Sequence, residues 1–198
     1  LKLGISGLQT VRVFIAIDID EQIRKGLSDL QDDLRGKADV RKGDVKWVRP
    51  EAMHLTLKFL GEIPDEQAVE VCNITKDVAS GHRRFDVEVA TVGCFGGRSA
   101  RVLWVGAGLN CDELLRLQAD LEGQLEAAGW PREARKFSAH LTLCRVRNVK
   151  AGFKLAQMVR EYEKRHLGTM PADSISVYQS ELTPKGPIYT RLGNYELQ

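Results

Sequence analysis

Apolar and polar residues alternate along this chain with two periods, and each change of period marks an element. Residues 11–17 (VRVFIAI) are alternating and β-branched, which predicts a buried strand. Asp20 stands where an N-cap belongs. After it, Ile23, Leu27, Leu30 and Leu34 fall on one helical stripe that stops near Gly36. A short strand at 45–48 ends at Pro50, and a second at 53–60 is closed by Gly61. Pro64, Asp65 and Glu66 open a helix running to about Ala79, the acids suiting its positive end. Strands at 85–92 and 101–105 follow. Gly93, Gly96 and Gly97 link them without a GxGxxG or P-loop pattern, so a hairpin is expected rather than a phosphate cradle. The helix over 112–128 carries Leu114, Leu117, Leu121 and Leu125 on one side, with Gly129 as its C-cap. A strand at 137–144, a helix near 154–167 and strands at 174–182 and 188–192 complete the pattern. Pro184, Gly186 and Pro187 make the last turn. Residues 1–10 read as an extension before the first strand.

Two of these strands carry the same four residues, His54-Leu55-Thr56-Leu57 and His140-Leu141-Thr142-Leu143. A strand has a period of two, so His and Thr share one face and the leucines share the other. Around each copy the order helix, motif strand, helix, two strands repeats. Mostly hairpin-connected strands with outer helices predict an α+β fold with antiparallel sheets, in one domain of two lobes over 11–198. A pseudo-twofold axis between the lobes would set the motif strands on opposite walls of a central groove.

Composition narrows the chemistry. Charge is nearly balanced, Lys+Arg 29 against Asp+Glu 27, which excludes a histone-like polybasic protein. The cations nonetheless gather at the motifs: Arg41, Lys42, Lys46, Arg49 and Lys58 around the first, and Arg132, Arg135, Lys136, Arg145, Arg147 and Lys150 around the second. That bias would draw a polyanion to the groove. Cys72, Cys94, Cys111 and Cys144 form no CxxC pair, which argues against structural zinc and a disulfide scaffold and for a reducing cytoplasm. No apolar run approaches a membrane span, and residues 1–10 are too mixed for a signal peptide.

Two imidazoles facing one phosphate can divide acid–base work, one neutral and accepting a proton, the other charged and donating one. Thr56 and Thr142 can donate hydrogen bonds to non-bridging oxygens as charge builds. Arg145, five residues after His140, can add a forked contact, and Phe59, five after His54, can stack on a base. Two histidines without nearby acids or thiols are too few for a zinc site. Cys144 shares the strand parity of His140 but would need its own base to act as a nucleophile. His82 and His166, in charged surroundings, read as surface residues.

At these motifs the chain resembles the 2H phosphoesterases, named for two His-x-Thr/Ser-x motifs. More narrowly, it is similar to the RNA 2′,3′-cyclic phosphodiesterases, historically called 2′–5′ RNA ligases (LigT-like). The likeness runs from Val11 onward through RVFIAIDI, VKWVRPEAMHLTLKFLGEI, HLTLCRVR and SELTPKGPIYTRL. One departure is Ala139, where such proteins often have Pro. The resemblance implies a bilobal LigT-like fold and hydrolysis of a 2′,3′-cyclic phosphate at an RNA end, such as a tRNA fragment, to a 2′-phosphomonoester. It implies no metal or other cofactor, and a cytoplasmic monomer is expected. His54 and His140 would be the acid–base pair, with His54 favoured as the acid and the reverse order left open by the sequence. Thr56 and Thr142 would hold the phosphate, Arg145 would contact it, and Phe59 would contact the nucleotide. The reverse reaction would be 2′–5′ ligation. A non-catalytic RNA-end binding module, or an esterase for small cyclic nucleotides or ADP-ribose cyclic phosphate, would use the same groove.

Overall fold

The computed structural model describes residues 10–108, 111–184 and 186–198, so the segment read as an extension lies outside it except for Thr10. Alternation on the first strand holds: β1 (Thr10–Asp18) turns Val13, Ile15 and Ile17 into the core. The Asp20 carboxylate then accepts the Ile23 N–H at 2.7 Å and caps α1 (Glu21–Lys37). After β2 (Val45–Trp47) and a 3₁₀ turn (Pro50–Ala52) comes β3 (His54–Pro64), the first motif strand. The chain continues through α2 (Gln67–Ser80), β4 (Phe85–Phe95), β5 (Val102–Ala107) and α3 (Asp112–Ala127). The second motif strand is β6 (His140–Val146), followed by α4 (Val149–Met158), a 3₁₀ turn (Val159–Tyr162), β7 (His166–Ala172), β8 (Ser174–Thr183) and β9 (Gly186–Glu196).

The strands form two antiparallel sheets, ordered β3-β1-β8-β9 and β2-β6-β5-β4-β7. The α+β expectation holds, and each sheet carries one motif strand. The sheets do not follow the two sequence halves, however. The two strands after the first motif, β4 and β5, join the sheet of the second motif. The last two strands, β8 and β9, join the sheet of the first. The halves are thus exchanged into each other. One buried cluster fills the interior, drawing on the inner faces of both sheets and the leucine stripes of α1 and α3.

Two expectations fail locally. The helix expected over 154–167 starts earlier and ends at Met158, and residues 166–172 are a strand instead. The Gly-rich link is the expected hairpin, but β4 runs through Gly93. There a Cβ would lie 2.3 Å from the Trp104 ring, so the indole needs glycine beneath it. Among the described residues, no helix is long and apolar enough to cross a membrane.

Candidate active site

Both motif strands break their alternation at the same place. In β3, Ala16 pairs with Thr56 and Ile15 with Lys58, so Leu57 is an extra residue in the ladder. In β6, Trp104 pairs with Thr142 and Leu103 with Cys144, so Leu143 is the extra residue. Each is a β-bulge at the second Leu of the motif, and a bulge re-aims every side chain beyond it. His and Thr precede the bulge and face the groove. Phe59 and Arg145, at an odd offset from the histidines, would face the core in an unbroken strand. The bulges turn both outward, leaving Phe59 49% exposed.

The residues just past each bulge go the other way. Cys144 is fully buried, and burial pushes its thiol up to about 12. That corrects the shared parity with His140 and removes Cys144 as a nucleophile. Lys58 is also buried, at 7% exposure, and is ion-paired with Glu122. It therefore does not belong to the cationic surround to which its sequence position assigned it.

His54 is walled by aromatic rings. Phe14 stacks on it at 4.5 Å between centroids, and Tyr189 meets it edge-on at 5.2 Å. This enclosure strips water from the imidazole and lowers its pKa from 6.5 to about 4, overcoming the opposing pull of Asp18 and of the Ala52 backbone carbonyl, which favours a protonated ring. Asp18 lies directly across the ladder from His54. Its carboxylate accepts from Tyr178 Oη (2.7 Å), Arg191 Nη2 (2.7 Å) and Ser176 Oγ (3.2 Å). His140 is half-buried, with Phe95 edge-on at 5.1 Å. Its Nδ1 lies 2.7 Å from the Ser138 carbonyl oxygen. A carbonyl only accepts, so Nδ1 carries a proton there and Nε2 is left for a ligand.

All six expected site residues, His54, Thr56, Phe59, His140, Thr142 and Arg145, line one hollow of about 450 Å³. Arg12, Lys46, Arg49 and Tyr189 complete its rim. A second hollow of about 920 Å³ shares Thr56, Phe59, His140, Thr142 and Arg145 and continues past Phe95, Arg101, Arg132, Arg135 and Lys136. Arg41, Arg147 and Lys150 line a different depression and are not part of the groove. Sequence reading missed Phe14, Arg12, Tyr189, Phe95 and Arg101. For Arg12 and Phe14 a signal existed: both sit at even positions of the first strand, the parity opposite its core residues. His166 is exposed beside Glu88, whereas His82 is half-buried against Asp120, 2.8 Å away. Among the described residues no group of three or more His, Cys, Asp and Glu is arranged to hold a metal ion.

The profile of the family described as LigT like Phosphoesterase matches residues 17–104 and 110–189, most of the chain. The chain belongs to the LigT-like phosphoesterase family. A relative from Methanothermobacter thermautotrophicus, named RNA 2′,3′-cyclic phosphodiesterase, is 35% identical over 94% of this chain and 99% of its own. Among solved LigT-like structures, TT0787 of Thermus thermophilus superposes with a TM-score of 0.75 at 28% identity, covering 94% of this chain and 97% of that one. E. coli LigT complexed with 3′-AMP shares the fold, with a TM-score of 0.73 at 24% identity over 96% and 99% of the two chains.

Proposed function

We propose that this groove hydrolyses 2′,3′-cyclic phosphate ends of RNA to 2′-phosphomonoesters by paired-imidazole acid–base catalysis. The observation that carries the reading is the convergence of both His-x-Thr faces on one cation-rimmed, aromatic-walled hollow. The name of the Methanothermobacter relative, matched over nearly its whole length, supports the substrate class.

A cyclic phosphate seated between the motifs would place its non-bridging oxygens against the Thr56 and Thr142 hydroxyls, with Arg145 neutralising the charge that builds in the transition state. Phe59, exposed at the rim, offers a face for the terminal base. Enclosure keeps His54 neutral in the free enzyme, which suits it to take the proton from the attacking water. His140, its Nδ1–H held by Ser138, presents Nε2 to protonate O3′ as the P–O3′ bond breaks. Of the two orders that the sequence leaves open, this is the reverse of the one it favours, in which His54 is the acid. The turnover leaves His54 protonated and His140 neutral, and exchange with solvent resets both.

The test uses a short RNA ending in a 2′,3′-cyclic phosphate, in EDTA. A 2′-phosphate product, with His54→Ala and His140→Ala each slowing turnover by roughly 10²–10⁴-fold, is expected. A substrate with sulfur at the 3′ position leaves without a proton and should rescue His140→Ala but not His54→Ala. Rescue of His54→Ala instead would restore the sequence-expected order. Binding without turnover would make the protein an RNA-end binding module.

A further inference from the structure

Three of the six buried polar or charged side chains in the described residues, Gln31, Lys58 and Glu122, serve the two bulges. At β6 the service is local: the Gln31 side chain of α1 donates to the carbonyls of Val48 and Leu143, both at 2.8 Å. At β3 it reaches further. Lys58 Nζ donates to Glu122 Oε1 of α3 at 2.5 Å and to the Pro131 carbonyl at 2.8 Å. Glu122 Oε1 also accepts the Glu133 backbone N–H at 2.7 Å, and Gln118 donates to Oε2 at 3.3 Å.

The segment these bonds hold is residues 128–139, which contain neither helix nor strand. It brings Arg132, Arg135 and Lys136 to the larger hollow and includes Ser138, whose carbonyl fixes the His140 ring. A strand bearing one motif is thereby tied, through a buried ion pair, to the loop that orients the histidine of the other motif. A buried ion pair adds little net stability over an apolar pair of the same volume, but it imposes direction on the groups it joins. The same bulge position in the second motif is a plain buried thiol, Cys144.

We infer that Lys58 and Glu122 are positioning residues, which set the loop before β6 and, through Ser138, the orientation of His140. The inference takes its activity readout from the phosphodiesterase reading but not its geometry. Both ends of the device are buried, so the apolar double replacement Lys58→Met/Glu122→Leu preserves volume without leaving a charge alone.

The double variant should fold, with a melting temperature within a few degrees of wild type. Its kcat on a cyclic-phosphate dinucleotide should fall at least tenfold while KM changes less than threefold. Imidazole ¹⁵N NMR should show the Nδ1–H population of neutral His140 reduced. A folded double variant with wild-type kcat and an unchanged His140 tautomer would overturn the inference. Should the double variant not fold, Glu122→Gln and Glu122→Ala decide it. Gln keeps an oxygen for Lys58 and for the Glu133 N–H, so it should stay within about threefold of wild-type kcat while Ala loses tenfold or more. Equal activities in the two would overturn the inference. Were the wild type inactive on cyclic phosphates, the proposed reaction would fall while the tautomer measurement still decided the positioning role. A shift in the variant would uphold it, and an unchanged tautomer would reject it.

Discussion

A neutral, enclosed histidine has a cost in acid. The His54 pKa is about 4 in the folded chain and near the ordinary 6.5 when unfolded, so between these values the unfolded chain binds more protons. Stability is complete above about pH 6.5 and is lost as pH falls through the window toward 4. The loss from this one group between pH 7.5 and pH 5 is about 2 kcal/mol. Urea unfolding at both pH values should show it, and His54→Phe, which suits the aromatic wall, should shrink the difference. An unchanged difference would remove His54 as its source. Cys144 gives a second residue-scale test. Its buried, high-pKa thiol should resist iodoacetamide in the native state, and Cys144→Ala should keep turnover near wild type while lowering stability by roughly 1–2 kcal/mol. At this scale the period of two was enough to place His54, Thr56, His140 and Thr142. It gave the wrong side for Cys144 and no account of Phe59 and Arg145. An extra residue in a ladder depends on the partner strand, and nothing in HLTL or the residues after it marks where that occurs.

Most elements were legible because their signals are local: the Asp20 cap, the leucine stripes and Gly129, which adopts φ +96° just past α3. β7 was not. Gly168 and Pro171 argue against a strand, and both are tolerated because β7 is the outer strand of its sheet, where one face of the ladder needs no donor. The apolar period of α4 also continues into the 3₁₀ turn at Val159–Tyr162, which made the helix look longer and later than it is. Two predictions belong to elements. Asp20→Ala should cost about 1 kcal/mol through the lost cap. Gln31→Leu removes a donor from the half-buried Val48 carbonyl and from the Leu143 carbonyl, which keeps the Val48 N–H, and should cost about 1 kcal/mol or more. Denaturant titration checks both, and a neutral Gln31→Leu would mean that the bulge in β6 holds its shape without α1.

At the scale of the whole molecule, near-neutral overall charge conceals a groove that is cationic along both hollows. The first has Arg12, Lys46 and Arg49, the second Arg101, Arg135 and Lys136, with Arg145 between them. Single-stranded RNA lying through it would release counterions at about 0.7 per phosphate neutralised. Affinity for an oligonucleotide carrying the cyclic end should therefore fall with salt. The Arg135→Ala/Lys136→Ala variant should flatten the log–log slope by about 1.4, if each cation meets one phosphate. Titration by fluorescence anisotropy at several salt concentrations measures the slope, and an unaltered slope would place the strand elsewhere. The bilobal outline followed from the duplicated motif, but the exchange of strands between halves did not, because repeats report likeness and not partnership. That exchange has a consequence for how the protein is made. Phe14 and His54 emerge from the ribosome before Tyr178 and Tyr189, which close around them from β8 and β9. A nascent chain carries both histidines before it can dry the first of them, so a fully enclosed His54 has to wait for β8 and β9.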